Sequence, residues 1–100
     1  MTNRVRLHAR LAARGDLRYT PAGVAVLQAS LAYAGAVAEA GIERQLDFEL
    51  DAVAVGEAAP RLARQQLGST LEIDGFLAPR SKRSRSLILH ISEFRAIQSE

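Results

Sequence analysis

The sequence predicts an all-β fold, a small barrel of five strands with one short helix between the third and the fourth. Three observations carry this reading. Apolar and polar residues alternate with period two over residues 4–11 and 44–55, the pattern of strands buried on one face. Proline and glycine fall close together after the first strand, where a turn is needed. Only the stretch 57–68 carries helix punctuation, with Pro60 in its first turn and Gly68 suited to its C-terminal end. One hundred residues are enough for one core and not for two, so residues 1–100 are read as one domain.

Arg4 to Leu11 form the first strand. Val5, Leu7, Ala9 and Leu11 share one face, and Arg4, Arg6, His8 and Arg10 the other, facing water or a partner. Residues 14–23 make the turn, with Pro21 at its corner and Gly23 at its exit. Val24 to Ala34 form the second strand. Residues 34–41 are alanine-rich with two glycines and are read as a hairpin loop; a short helix is the alternative, since alanine favours one. The third strand, Arg44 to Val55, sets Leu46, Phe48, Leu50 and Ala52 against Asp47, Glu49 and Asp51. Neighbours on one strand face lie about 6.5–7 Å apart. Three carboxylates in a row without a visible cation therefore read as a solvated or partner-facing surface rather than a metal or acid–base site. The helix follows over Glu57 to Gly68, with Leu62, Ala63 and Leu67 as its apolar face. Thr70 to Ala78 and Leu87 to Ile97 are the fourth and fifth strands.

Between those last strands lies a loop with four positive charges and no negative one. Arg80, Lys82, Arg83 and Arg85 alternate with Ser81, Ser84 and Ser86. A hairpin that presents such a finger asks for a polyanion; the plainer alternative is a loop that only keeps the protein soluble. The formal net charge is just +2, but it is unevenly spread. Residues 4–18 hold five arginines against Asp16, and residues 39–57 hold six acids against Arg44. Five strands with a helix after the third is the layout of the OB-fold, a small, partly open barrel. It binds oligonucleotides on one face and through the loops joining its first two and last two strands. Both basic segments fall where that fold would use them.

Composition narrows the function further. Apolar residues make up 48% and charged residues 24%, ordinary for a globular protein. The absence of cysteine removes disulfides, thiolate metal sites and a cysteine nucleophile, and is compatible with a cytoplasmic home. No run nears the roughly 18 apolar residues of a membrane helix, and the basic, alternating N-terminus lacks the apolar stretch of a signal peptide. No amphipathic basic helix accompanies the charges, so a membrane-surface binder is not supported. His8 and His90 lie in different strands without neighbours suited to a metal site or a triad. With no nucleophile–base pair and no glycine-rich phosphate loop before a helix, no enzyme and no cofactor are expected. Phe48, Phe76 and Phe94 sit among aliphatics and are read as core. Tyr19 and Tyr33 are better placed to be exposed.

The segments LRYTPAGVAVLQASLAY and IDGFLAPRSKRSRSLILHISEFRAI resemble the bacterial single-stranded DNA-binding protein family. The opening MTNR and GIERQ at 41–45 extend the likeness over the whole chain to the family's shorter, primosomal members. The resemblance implies a homodimer that binds single-stranded DNA and helps restart stalled replication forks, bridging a primosomal helicase to the loading protein that follows it. It implies nucleic-acid contacts at Arg18, before the turn, at Arg44, after the hairpin glycine, and at Arg80, Lys82, Arg83 and Arg85 in the last loop. Asp47 stands where better-known members carry a stacking tryptophan, and Ile42 replaces an aromatic near Gly41. Because stacking is worth about 1–3 kcal/mol per base, phosphate contacts should carry more of the binding here. The sequence ends at Gln98-Ser99-Glu100, directly after the last predicted strand, without the glycine-rich tail and acidic end of a generic family member. That favours the primosomal reading over a generic single-stranded DNA-binding protein, and a protein-binding adaptor is the reading from another class. An open barrel edge would also favour pairing of two copies, with the first strand as its contributor.

Overall fold

Leu11, Leu27, Leu31, Leu62, Leu71, Ile73 and Leu89 are the largest fully buried side chains; a helix carries Leu62, and the strands that carry the others close into one barrel around them. A computed structural model describes residues 1–97. The elements are β1 (Val5–Arg14), β2 (Arg18–Tyr19), β3 (Ala25–Glu39), β4 (Ile42–Val55), α1 (Ala58–Ala63), β5 (Thr70–Pro79) and β6 (Leu87–Ala96). The five barrel strands are therefore β1, β3, β4, β5 and β6, and β2 is a two-residue addition beside β3. The single helix among the described residues lies between the third and fourth barrel strands, as the sequence predicts.

The strand order is β1-β5-β6-β4-β3, and a β1–β3 pairing closes the ring. One strand serves two neighbours because β1 bends. Its residues Val5 to Arg10 pair with β5, and Arg10 to Arg14 pair with β3 across a register shift between Leu11 and Ala13. An extra residue at such a bulge kinks a strand and increases its twist. The barrel is thus closed, not partly open as the sequence reading has it. Free edges remain on the first half of β1, where Val5 to Ala9 pair with β5 alone, and on the hairpin, where Tyr33 to Glu39 of β3 and Ile42 to Asp51 of β4 pair only with each other. The period-two reading of β1 holds: Ala9 and Leu11 are buried, and Val5 and Leu7 pack against the core from partly buried positions.

The alanine-rich stretch is strand, not loop or helix. Pairing between β3 and β4 runs without a break from Val26–Val55 to Glu39–Ile42. The turn is reduced to Ala40 and Gly41, at φ 53° and 76°, the two positive values that a two-residue hairpin turn requires. Alanine's helix preference is a fraction of a kcal/mol per residue and gives way to a continuous ladder. No residue from Ala34 to Gln45 is buried, so the hairpin projects beyond the core.

The helix is also shorter than its sequence punctuation, six residues rather than twelve. Ala58, Ala59 and Leu62 form its buried face, while Leu67, expected there, is 53% exposed in the turns that lead to Gly68. The helix packs against β3, β4 and β6. Arg61 ties it to β6, with its guanidinium 4.7 Å from the Phe94 ring centroid and donating to the Phe94 carbonyl at 3.2 Å. Phe94 alone of the three phenylalanines is core. Phe48 and Phe76 are each 40% exposed, which overturns their assignment to the interior. Residues 98–100, on which the reading of the C-terminal end rests, lie outside the described residues.

Candidate nucleic-acid interface

The loop after β5 has a built base and free side chains. The Arg80 amide donates to the Ser86 carbonyl at 2.9 Å, and the Ser84 amide donates to Ser81 at 3.1 Å. The Ser86 amide donates to the Ser84 hydroxyl at 3.0 Å. Serine side chains bond readily to nearby backbone, which is why they recur in such loops. Lys82, Arg83 and Arg85 are exposed and form no ion pair or side-chain hydrogen bond among the described residues. Arg80 differs: its guanidinium reaches back to Asp51 on β4 at 3.0 Å. That pair supplies a cation to the acidic face of β4, where the sequence reading finds none. Glu49 on the same face accepts from the Ser30 hydroxyl at 3.3 Å, and Asp47 stands exposed beyond it.

Arg18 and Arg44 are far apart. Arg18 lies on β2 opposite Val26 and beside the exposed Tyr19, in the hairpin that the Thr20–Val24 backbone bond closes at 2.9 Å. Arg44 lies opposite Val37 near the hairpin end and pairs with Glu39. Eleven residues of β3 separate the two registers, about 36 Å of strand. The six predicted site residues therefore form no single pocket; only an extended ligand engages them together. A cleft of about 230 Å³ opens between the loop after β1 and the basic loop. Arg14, Gln28, Asp51 and Arg80 line it over Ala29 and Ile88.

On the basic face of β1, by contrast, Arg4, Arg6 and His8 already have carboxylate partners, while Arg10 has none among the described residues. Arg4 and Arg6 both reach Asp74 at 3.2 Å. His8 and Arg95 reach Glu72 at 3.0 and 2.9 Å. The Arg95 hydrogen bond, followed by that from His8, holds the Glu72 carboxyl at about 2, and the Arg6 and Arg4 guanidiniums hold Asp74 below the usual carboxylate range. The cross-strand register sets these pairs, since Arg6 faces Asp74 and His8 faces Glu72. The sequence reading left this face to water or a partner.

Two aromatic stacks complete the surface. Tyr33 and Phe48 stack across β3 and β4 at 5.1 Å, and Phe76 and His90 across β5 and β6 at 4.8 Å. The signal for Phe76 was present in its strand. Leu71, Ile73 and Gly75 are buried, so the alternation sends Phe76 outward with Glu72 and Asp74. Among the described residues no three His, Cys, Asp or Glu gather as a metal site, and no helix is long and apolar enough to cross a membrane.

A family model described as a single-strand binding protein family matches residues 3–93. The replication restart protein PriB of Bordetella pertussis is 39% identical over 95 residues, 95% of this chain and 89% of its own. PriB of Nitrosomonas europaea is 40% identical over 80 residues, 80% of this chain and 74% of its own. The structure of priB from Ralstonia solanacearum superposes with a TM-score of 0.88 at 38% identity, covering 98% of this chain and all of that one. The single-stranded DNA binding protein of Thermus aquaticus gives 0.77 at 26% identity, covering 97% of this chain and half of its own. Fold and sequence agree over nearly the whole length, and the chain belongs to this single-strand binding protein family, among its PriB members.

Proposed function

We propose that this protein binds single-stranded DNA in replication restart, by gripping the sugar–phosphate backbone with the loop between β5 and β6. The observation that carries this is the exposed, unpaired state of Lys82, Arg83 and Arg85 on a loop whose backbone is fixed. Arg80 joins them when it leaves Asp51, Arg44 when it leaves Glu39, and Arg18 extends the path along β3. Exposed ion pairs are worth about 0–1 kcal/mol, so a phosphate competes for either arginine at little cost. The protein acts by binding, without catalysis, in the cytoplasm. It bridges a primosomal helicase and the loading protein that follows it.

It does so as a homodimer. The unpaired edge of Val5 to Ala9 supports this, because free edges invite a second strand. Sedimentation at micromolar concentration should show a species of twice 10.8 kDa; a single monomeric species overturns the dimer. An adaptor that mainly binds protein is the second reading. The exposed Asp47 and Glu49 favour it, with Ile42 66% exposed at the hairpin tip. A salt titration of binding to single-stranded oligonucleotides, beside duplex and RNA, separates the two. Backbone binding predicts log affinity falling with log salt by about 0.7 per phosphate contact. No measurable single-strand binding at low salt leaves the adaptor.

A further inference from the structure

Phe76 lies on the outer surface with its ring prepared for contact. Its neighbours Gly75 and Leu77 turn toward the core, and Phe76 is 40% exposed between them. It pairs with His90 on β6, and the two rings stack at 4.8 Å and 15°. At Gly75 a Cβ would collide with the His90 carbonyl oxygen, so only glycine lets β5 and β6 approach this closely beside the stack. Val53 faces outward beside His90, and Ile88 faces outward beside Ala78. Both are buried, yet neither belongs to the barrel's core cluster. The outer face thus has a small apolar cluster of its own, with the stack as its exposed part.

Beside Phe76 is an open cleft of about 440 Å³, walled by Asn3, Arg4, Arg6, Asp74 and Glu93. Its two arginines and two carboxylates cancel, so it offers hydrogen bonds without attracting phosphate strongly. The basic loop begins four residues on at Arg80, about 13 Å along β5. We infer that Phe76, backed by His90, is a stacking platform for an unpaired base of the strand whose phosphates the basic loop holds. The inference rests on the single-strand reading above and adds what that reading lacks. Phosphate contacts carry little information about the bases, whereas an exposed ring accepts the face of any unpaired base. The platform therefore makes up for the stacking that Asp47 and Ile42 do not offer, and it favours single strands over duplex.

The test compares an oligo-dT with an abasic strand of the same length, measured on the native protein and on Phe76→Leu and Phe76→Tyr. The native protein should bind oligo-dT more tightly. Phe76→Leu should lose about 5- to 150-fold on oligo-dT, with an unchanged salt slope and unchanged affinity for the abasic strand. Phe76→Tyr should retain both. A folded Phe76→Leu that keeps the native preference overturns the platform and leaves the loop reading intact; equal losses on both strands overturn it in favour of a structural role. A native protein that binds neither strand overturns the single-strand reading itself. Should Phe76→Leu not fold, Phe76→Trp reports directly, because the chain has no other tryptophan. Oligo-dT should quench its fluorescence and the abasic strand should not; equal responses overturn the platform.

Discussion

Replacing Lys82, Arg83 and Arg85 together by alanine tests the loop most directly. Each phosphate neutralised by a single-strand binder releases counterions worth about −0.7 in the slope of log affinity against log salt. The three unpaired cations give about −2 per loop, and about −3 if Asp51 releases Arg80 to the strand. Between 50 and 200 mM salt, a slope of −3 costs about 60-fold in affinity, whereas Arg80 alone costs about 3-fold. The triple variant should therefore flatten the slope by about two units per engaged loop and weaken all base sequences alike. The three side chains lie in solvent, where substitutions usually change stability by under about 0.5 kcal/mol. The fold should survive. Fluorescence anisotropy at several salt concentrations reads the slope, and circular dichroism controls for folding. A folded triple variant with the parent's affinity and slope would make the loop a solubility device, and the adaptor reading would take first place.

Asp47→Trp should strengthen single-strand binding by about five-fold or more, since it removes a carboxylate that repels phosphates from β4 and adds a stacking ring there; unchanged binding in the same anisotropy assay would mean that the strand stays off β4 even in the variant. Glu72 has a folded pKa of about 2 against a reference of 4.5, so its contribution is present above pH 4.5 and is lost as pH falls toward 2. Glu72→Gln should accordingly lower the thermal midpoint at pH 7, and the gap from the native protein should close across that window; a gap constant with pH would refute the assignment. Gly75→Ala should destabilise by about 1–3 kcal/mol in urea unfolding, because its Cβ and the His90 carbonyl claim the same space. A native midpoint would show that β5 and β6 yield there freely.

The barrel was legible because its inward positions alternate in sequence. Ala9 and Leu11 in β1, and Leu71 and Ile73 in β5, show their faces directly. The hairpin was not legible, since the stretch from Ala34 to Glu39 has too little side chain to display a period. Its ladder is set by Ala40 and Gly41 and by the facing strand. Closure of the ring was hidden for a different reason. It depends on the bulge near Ala12, which no turn residue announces. The basic loop could be read from its charges alone. Which of those charges are free could not, because Arg80 meets Asp51 across 29 positions of sequence. Phe48 and Phe76 were misplaced by their aliphatic neighbours, although alternation alone turns Phe76 outward.

The pattern of ion pairs constrains where a nucleic-acid strand can lie. The chain holds thirteen cations against eleven acids, a margin too small to steer a polyanion if the charges were evenly mixed. Pairing makes them uneven. Arg4, Arg6 and Arg95 are matched to Asp74 and Glu72, and Arg10 has no ion pair among the described residues, so the outer face of β1 and β5 keeps only a small positive excess. On β4, Asp47 and Glu49 remain exposed without a cation among the described residues, and they repel phosphates along that strand. The densest run of unpaired positive charge is on the β5–β6 loop, although Arg10, Arg14, Arg18 and Arg64 are also exposed without an ion pair among the described residues. A strand drawn there leaves more favourably across the face of β1 and β5 than along β4, where it meets repulsion at each carboxylate. Phe76 and His90 stand on that route. The charge pattern and the exposed ring, two independent features of the surface, thus point to one path.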